Sequence, residues 1–207
     1  MTADKIITSN EAEFKSPAEV TAKIIRTVTV PPVIAFAMLT YFYFCTEGIF
    51  SSPAEYCLSV FFICVLPALA YPVQFMVKNK FPGRDGQRTL AMVFSVAGYV
   101  LGAVSAFAMG SSHMLKLIYL GYLLSGAIIL ILSKGAKFKI SGHAVGSAGP
   151  IAILLGFGQW VWVFGLPVIL SVFYSSLRIK RHTKAQIICG LIQPFLVFGL
   201  LTGWTGI

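Results

Sequence analysis

Along the chain, mainly apolar stretches at 26–45, 56–77, 90–109, 115–132, 144–157, 160–177 and 185–204 alternate with short polar intervals. A helix crosses a membrane with roughly 20 such residues. The pattern therefore predicts an all-α polytopic membrane protein, a bundle of about seven transmembrane helices, or six if the shortest stretch, 144–157, does not cross. Residues 26–207 read as one transmembrane domain preceded by a polar tail, 1–25, that lacks the apolar core of a secretory signal and is expected to be retained. Within the tail, Pro17 followed by Ala18 and Glu19 is a helix start, so an amphipathic segment is expected there. Pro31 and Pro32 predict a kinked entry into the first span, and Pro67 and Pro72 a bend toward the end of the second. Pro82-Gly83 and Asp85-Gly86 predict a loop with tight turns, not a helix, at 78–88. The Gly- and Ala-rich stretch 144–157 is suited to close packing inside the bundle.

Composition agrees with this pattern: 57% of residues are hydrophobic, 11% are charged, and the mean hydropathy is +0.84. Soluble domains carry about a quarter charged residues, so the lipid bilayer is this chain's solvent. The net charge of +9 does not point to nucleic acid, because the sixteen Lys and Arg sit between apolar runs with no aromatic-interleaved basic surface. Anionic lipid is the fitting partner. Cys45, Cys57, Cys64 and Cys189 lie in apolar runs without metal spacing and read as buried small hydrophobes. No metal site and no cofactor motif is visible.

Parity adds the decisive step. The basic loops 78–88, 133–143 and 178–184 are separated by two spans each, so all three emerge on one membrane face. With the tail, that face carries fifteen of the sixteen Lys and Arg, all but Lys116, and the positive-inside rule makes it cytoplasmic, in the cell (inner) membrane.

Three cationic loops on one face suit a phosphate monoester, whose near-double charge requires several charge-assisted donors. Arg84, Arg88 and Arg178 offer planar forks, and Lys80 and Lys139 point charges. Ser141 and Gly142, opening a helix, offer backbone amides to the same anion. Taken singly, Lys78, Lys134, Lys180 and Arg181 also fit the bland role of interfacial cations reaching toward head groups. Two histidines, His143 and His182, lie among these cations. If the last helix begins near Arg178, then Arg178, His182 and Gln186 form one stripe at i, i+4 spacing. Arginine then holds an anion, histidine attacks it or moves a proton, and Gln186 orients the ring.

Ser141-Gly142-His143 opening a span, followed one hairpin later by Arg178 and His182, resembles the type 2 phosphatidic acid phosphatase superfamily of integral membrane lipid phosphatases. The family's pattern is a Lys and Arg segment, then Pro-Ser-Gly-His, then Ser-Arg with a His six residues after the Arg and an Asp four beyond. The resemblance covers roughly residues 78–200 and implies a phosphohistidine mechanism: His182 as nucleophile, His143 as the acid that protonates the leaving group, and the cations as phosphate ligands. No cofactor is implied. The chain departs from the pattern at Ile140 in place of proline, at Ser176 six residues before His182, at Gln186 in place of aspartate, and in its loose first segment of Lys80, Arg84 and Arg88. The implied function is phosphate release from a phosphorylated membrane lipid of the phosphatidate, phosphatidylglycerophosphate or polyprenyl phosphate type. The alternative is a non-catalytic binder or carrier of such lipids on the same scaffold. A membrane prenyltransferase would need Asp-rich motifs for magnesium, and the chain has only Asp4 and Asp85.

Overall fold

The computed structural model describes residues 16–77 and 79–205. Among them there is no strand; nine α-helices follow one another. Helix α1 (Pro17–Val28) starts where the sequence predicts, with Ser16 Oγ accepting from the Glu19 amide at 3.3 Å and Pro17 at the first position. It is continuous through residue 26, so the boundary drawn between a tail and a domain at 25/26 falls inside a helix. The chain breaks at Thr29 and Val30 and resumes as α2 (Pro31–Cys45) at a 43° bend. The two prolines, which lack amides, are best tolerated in a first turn.

Helices α3 (Pro53–Val60) and α4 (Leu66–Met76) form one span joined by a π-helical turn at Phe61–Val65. The turn lies just before Pro67, whose ring clashes with the carbonyl four residues back in a regular helix. The irregularity predicted for the end of this span therefore sits in its middle. Helix α5 (Gly83–Ala108) begins inside the interval expected to be a loop. Gly86 explains this, because a Cβ there would lie 2.3 Å from the Phe81 carbonyl. The glycine that looks like a turn former is the residue that lets the helix start pass so close to the preceding chain.

Helix α6 (His113–Leu130) continues into a π turn at Ile131–Gly135. Helix α7 (Gly142–Gly156) follows, then a 3₁₀ segment at Trp160–Phe164 leading into α8 (Gly165–Arg178), and finally α9 (Lys184–Thr205).

Five segments are long and apolar enough to cross a membrane: Pro53–Met76, Asp85–Ala108, His113–Ser133, Trp160–Arg178 and Lys184–Gly203; the bent pair α1 and α2 makes a sixth if counted as one span. Helix α7 has 15 residues, or ~22 Å, against ~30 Å of hydrocarbon. It nevertheless runs the depth of the bundle parallel to α2. At one end Ser147 Oγ donates to the Thr29 carbonyl at 3.0 Å. At the other, Phe157 packs on Phe42 and the Tyr41 hydroxyl donates to Gln159 Oε1 at 3.0 Å. Half of its residues are buried, and Gly146 lies against Pro31, so the interior placement expected of its small residues is what the fold shows.

The core joins Leu39 and Phe42 of α2, Ile118 and Tyr119 of α6, Ile153 of α7 and Phe198 of α9. Large apolar side chains left exposed, such as Phe75, Val104 and Leu200, form the perimeter that lipid covers. Of the four cysteines only Cys64 is buried; Cys45, Cys57 and Cys189 lie on that perimeter, against the expectation that all are interior. At the end of the bundle away from the basic loops, Glu55 is 4% exposed. It accepts from the Ser51 amide at 2.6 Å and from Ser111 Oγ at 2.5 Å, tying two connections together.

Candidate phosphate site

A cavity of about 1090 Å³ opens at the end of the bundle where the basic loops lie. Its mouth is built by Arg26 of α1, Asp85 and Arg88 of α5, Lys139 before α7, Gly142 and His143 of α7, Lys180, Arg181 and His182 between α8 and α9, and Gln186 of α9. Its depth is apolar and aromatic, reaching Ile63, Tyr99, Tyr122, Ile153 and Phe198. The three loops that parity assigns to one face thus meet at one opening.

Each functional side chain is held by a local device. Ser141 caps α7, its Oγ accepting from the Ala144 amide at 3.3 Å, while its own amide donates to the Gln186 carbonyl at 3.2 Å. Gly190 makes this approach of α9 feasible, since a Cβ there would stand 2.9 Å from the Ser141 carbonyl. Gly142 and His143 follow in the first turn, where amides have no intrahelical acceptor. His143 Nε2 lies 3.4 Å from Thr29 Oγ1, whose proton goes to the Ile25 carbonyl at 2.8 Å. Thr29 can therefore only accept from the ring, which leaves His143 Nδ1 for the cavity.

On α9, Thr183 and Gln186 form a reciprocal capping box: the Thr183 amide donates to Gln186 Oε1 at 3.1 Å and the Gln186 amide to Thr183 Oγ1 at 3.3 Å. The same Oε1 lies 3.3 Å from His182 Nδ1. An oxygen fixed by one donor presents itself to the second, so neutral His182 carries its proton on Nδ1 and its lone pair on Nε2. Burial pushes the His182 pKa below its ordinary value; Gln186 and the Lys139 carbonyl oppose the shift, and the charges of Arg88 and Arg26 add to it. The ring is thus neutral at neutral pH. His143 stands within electrostatic reach of Arg26, Arg181 and His182.

Among the described residues five cations, Arg26, Arg88, Lys139, Lys180 and Arg181, line the mouth against one carboxylate, Asp85. Asp85 reaches Lys139 only at 3.9 Å, with both side chains largely exposed, a pair worth little. Arg88 Nη2 donates to Ser133 Oγ at 2.9 Å and to the Ile140 carbonyl at 3.3 Å, which orients the fork and leaves Nη1 and Nε for the cavity.

Of the residues singled out from sequence, His143, His182, Gln186, Arg88, Lys139 and Gly142 come together here. Three do not. Arg178 ends α8 and is exposed away from the cavity. Lys180, left-handed at φ 52°, turns the chain before α9 starts, so the i, i+4 stripe from Arg178 to Gln186 does not exist. Ser141 is fully buried, with its hydroxyl and amide both committed to the fold. Lys80 is exposed and does not line the cavity. The side chain of Arg84, like residue Lys78, lies outside the described residues.

Three cations at the mouth were not singled out as ligands from sequence, Lys180, Arg181 and Arg26. Half-buried Arg26 donates from Nη1 to Ser176 Oγ at 3.4 Å. Ser176 is itself fully buried and sits six residues before His182, where the resembled family has arginine. A small hydroxyl residue at that position was the available hint that a guanidinium arrives from elsewhere. Among the described residues no cluster of His, Cys, Asp and Glu could hold a metal ion.

Fold and site together define a polytopic all-α membrane protein with a two-histidine cationic cavity. Comparison of the chain with protein-family models, curated proteins and solved structures returns no match.

Proposed function

We propose that this chain is a membrane lipid phosphatase acting through a phosphohistidine. The observation that carries the proposal is the unneutralised excess of cations around two imidazoles, one oriented with its lone pair on Nε2, at the mouth of an apolar cavity. Five positive charges against one negative call for an anion, and the apolar depth calls for a chain attached to it.

In the reaction, Arg26, Arg88 and Arg181 hold the phosphate oxygens. His182 Nε2 attacks phosphorus in line, the bond from phosphorus to the lipid oxygen breaks, and His143 delivers a proton to the departing alkoxide. The proton that His143 delivers is one its Nδ1 takes from the phosphate as the substrate binds in its monoanion form; water then attacks the phosphohistidine, giving its proton to His143 Nδ1, and inorganic phosphate leaves. Every step is proton transfer or substitution at phosphorus. The resemblance to the type 2 phosphatidic acid phosphatase superfamily supports this assignment of roles, with Arg26 taking the place of the missing arginine and Gln186 that of the aspartate. The cation excess supports a cytoplasmic mouth and α1; labelling from outside of a cysteine introduced at position 2 would reverse that orientation.

One observation favours a second reading, a lipid-phosphate carrier: the capping box gives Gln186 a reason to be present without catalysis. Phosphate release from purified protein across phosphatidate, phosphatidylglycerophosphate and a polyprenyl phosphate decides between them. Release abolished by His182→Ala and strongly reduced by His143→Ala is the expected result. Tight binding with no release beyond that of His182→Ala assigns the carrier role.

A further inference from the structure

The helices around the cavity form a ring with one gap. Helix α4 packs on α5, α5 on α6, and α6 on α7 and α9; α7 packs in turn on α2. Between α2 and α4 the ring closes only at α3 and the π turn 61–65; toward the site from there the two helices make at most passing contact, and α1 packs away on α8. Cavity-lining residues stand on both sides of this gap: Pro32 and Val33 on α2, Ala68 and Tyr71 on α4. Val33 is 51% and Tyr71 46% exposed, so the lining here is also the outer surface of the bundle. The prolines cause the separation. Pro31 and Pro32 open α2 at a 43° bend, and the π turn before Pro67 redirects α4.

From Leu66, just past the π turn, to Tyr71 the gap extends over five residues, ~8 Å along the helix, which reaches from the head-group boundary into the adjoining part of one leaflet. Its outer end lies beside the cationic mouth, since Arg26 is within electrostatic reach of Tyr71.

We infer that the gap between α2 and α4 is a lateral portal through which a phosphorylated lipid of the same leaflet passes its phosphate to the site without leaving the bilayer. The inference takes its occupant from the lipid-phosphate reading above. Charge complementarity selects that occupant: an uncharged lipid finds no partner for the five cations, and a soluble phosphate needs no gap in hydrocarbon.

The test is binding to the purified full chain in phosphate-free detergent micelles, with dioleoyl phosphatidate and inorganic phosphate as separate probes. Ala68→Trp and Val33→Trp obstruct the portal from opposite sides. Leu69→Trp places the same ring on the lipid-facing surface one residue away, outside the cavity lining. We expect the first two to weaken phosphatidate binding at least tenfold with inorganic phosphate binding within twofold, and Leu69→Trp to change neither. Phosphatidate binding that survives both obstructions overturns the portal and leaves the function standing. So does an equal loss for both probes, which means the site itself was deformed. Wild-type protein that takes inorganic phosphate but no phosphatidate overturns the lipid reading and the portal together.

Discussion

Gln186→Glu tests whether the glutamine orients the nucleophile. The change is isosteric and keeps the capping box, which accepts either residue at this position, so the Thr183 amide retains its acceptor. What changes is the charge on the oxygen 3.3 Å from His182 Nδ1. A neutral hydrogen bond contributes ~1 kcal/mol net and one to a charged group ~1.5–3. As His182 Nε2 bonds phosphorus the ring becomes cationic, and a carboxylate then stabilises it by a further ~1.4 kcal/mol, a tenfold gain in kcat.

The same carboxylate lies across the ring from the phosphate, ~8 Å away, where each pair of like charges costs ~2 kcal/mol at an effective dielectric of 20. The cations at the mouth offset most of this. The remainder is felt equally by bound substrate and transition state, so it raises KM, by about tenfold, without lowering kcat. Steady-state phosphate release by Gln186→Glu should therefore show kcat and KM rising together. The acid limb of the kcat/KM profile should also move to higher pH. His182 is held below its ordinary pKa by burial, so on the proposed function the limb of the wild-type protein lies on the acid side of that value; a carboxylate on Nδ1 holds the proton to higher pH. An unchanged kcat with an unmoved limb refutes the orienting role. Gln186→Leu completes the test: with no acceptor on Nδ1 the ring loses its fixed tautomer, and a loss of at least ~10²-fold in kcat is expected, by analogy with the ~10⁴ lost when a serine-protease triad loses its orienting charge.

Arg26→Ala removes one charge-assisted phosphate contact, ~1.5–3 kcal/mol, so KM should rise about 10- to 100-fold, and the acid limb should also move up because one cation opposing the proton on His182 is gone; a KM within twofold of wild type removes Arg26 from the site. Lys80→Ala should leave kcat and KM within twofold, since the side chain is exposed and outside the cavity lining, and a tenfold loss would return it to the phosphate. Glu55→Ala leaves the buried Ser111 hydroxyl without its acceptor at the far end of the bundle, at ~1–3 kcal/mol; the melting temperature in detergent should fall while inorganic phosphate affinity stays the same, and a loss of affinity at unchanged melting temperature would contradict the structural role.

The spans were legible because hydrophobic burial along a helix in lipid leaves a one-dimensional trace, and the convergence of the basic loops was legible because parity is a counting argument. Phase was not legible. The stripe from Arg178 to Gln186 assumes an unbroken helix, and a single left-handed residue, Lys180, cancels it. Gly83, Asp85 and Gly86 suggest turns, yet they begin a helix because Gly86 must pass the Phe81 carbonyl. The Ser-Gly-His triplet marked the right helix end, but only the buried position of Ser141 shows that it serves as cap and not as ligand. Two signals were readable and carry over to other chains. Thr183 followed three residues later by Gln186 is a capping box, and Ser176 is a small polar residue where the resembled pattern has a cation.

That last substitution shows how the site is assembled. An arginine at position 176 would emerge from a buried position on α8; the chain has a serine there, and the guanidinium instead comes from α1, a helix that packs on α8. Arg26 and Thr29 then act from one short segment, the first on the anion and the second on His143 Nε2. The bend before Pro31 is what aims that segment at the cavity, and the same bend separates α2 from α4. On the proposed function, the proline pair therefore couples two properties that a straight first helix would not provide together: a cation over the phosphate and an opening toward the lipid beside it. Because the clustered positive charges repel one another when no anion is present, the backbone ties must hold the empty site in shape. The hydrogen bonds from Ser141 to the Gln186 carbonyl, from Ser147 to the Thr29 carbonyl and from Arg88 to the Ile140 carbonyl all lie at this end of the bundle and fasten α1, α5, α7 and α9 to one another.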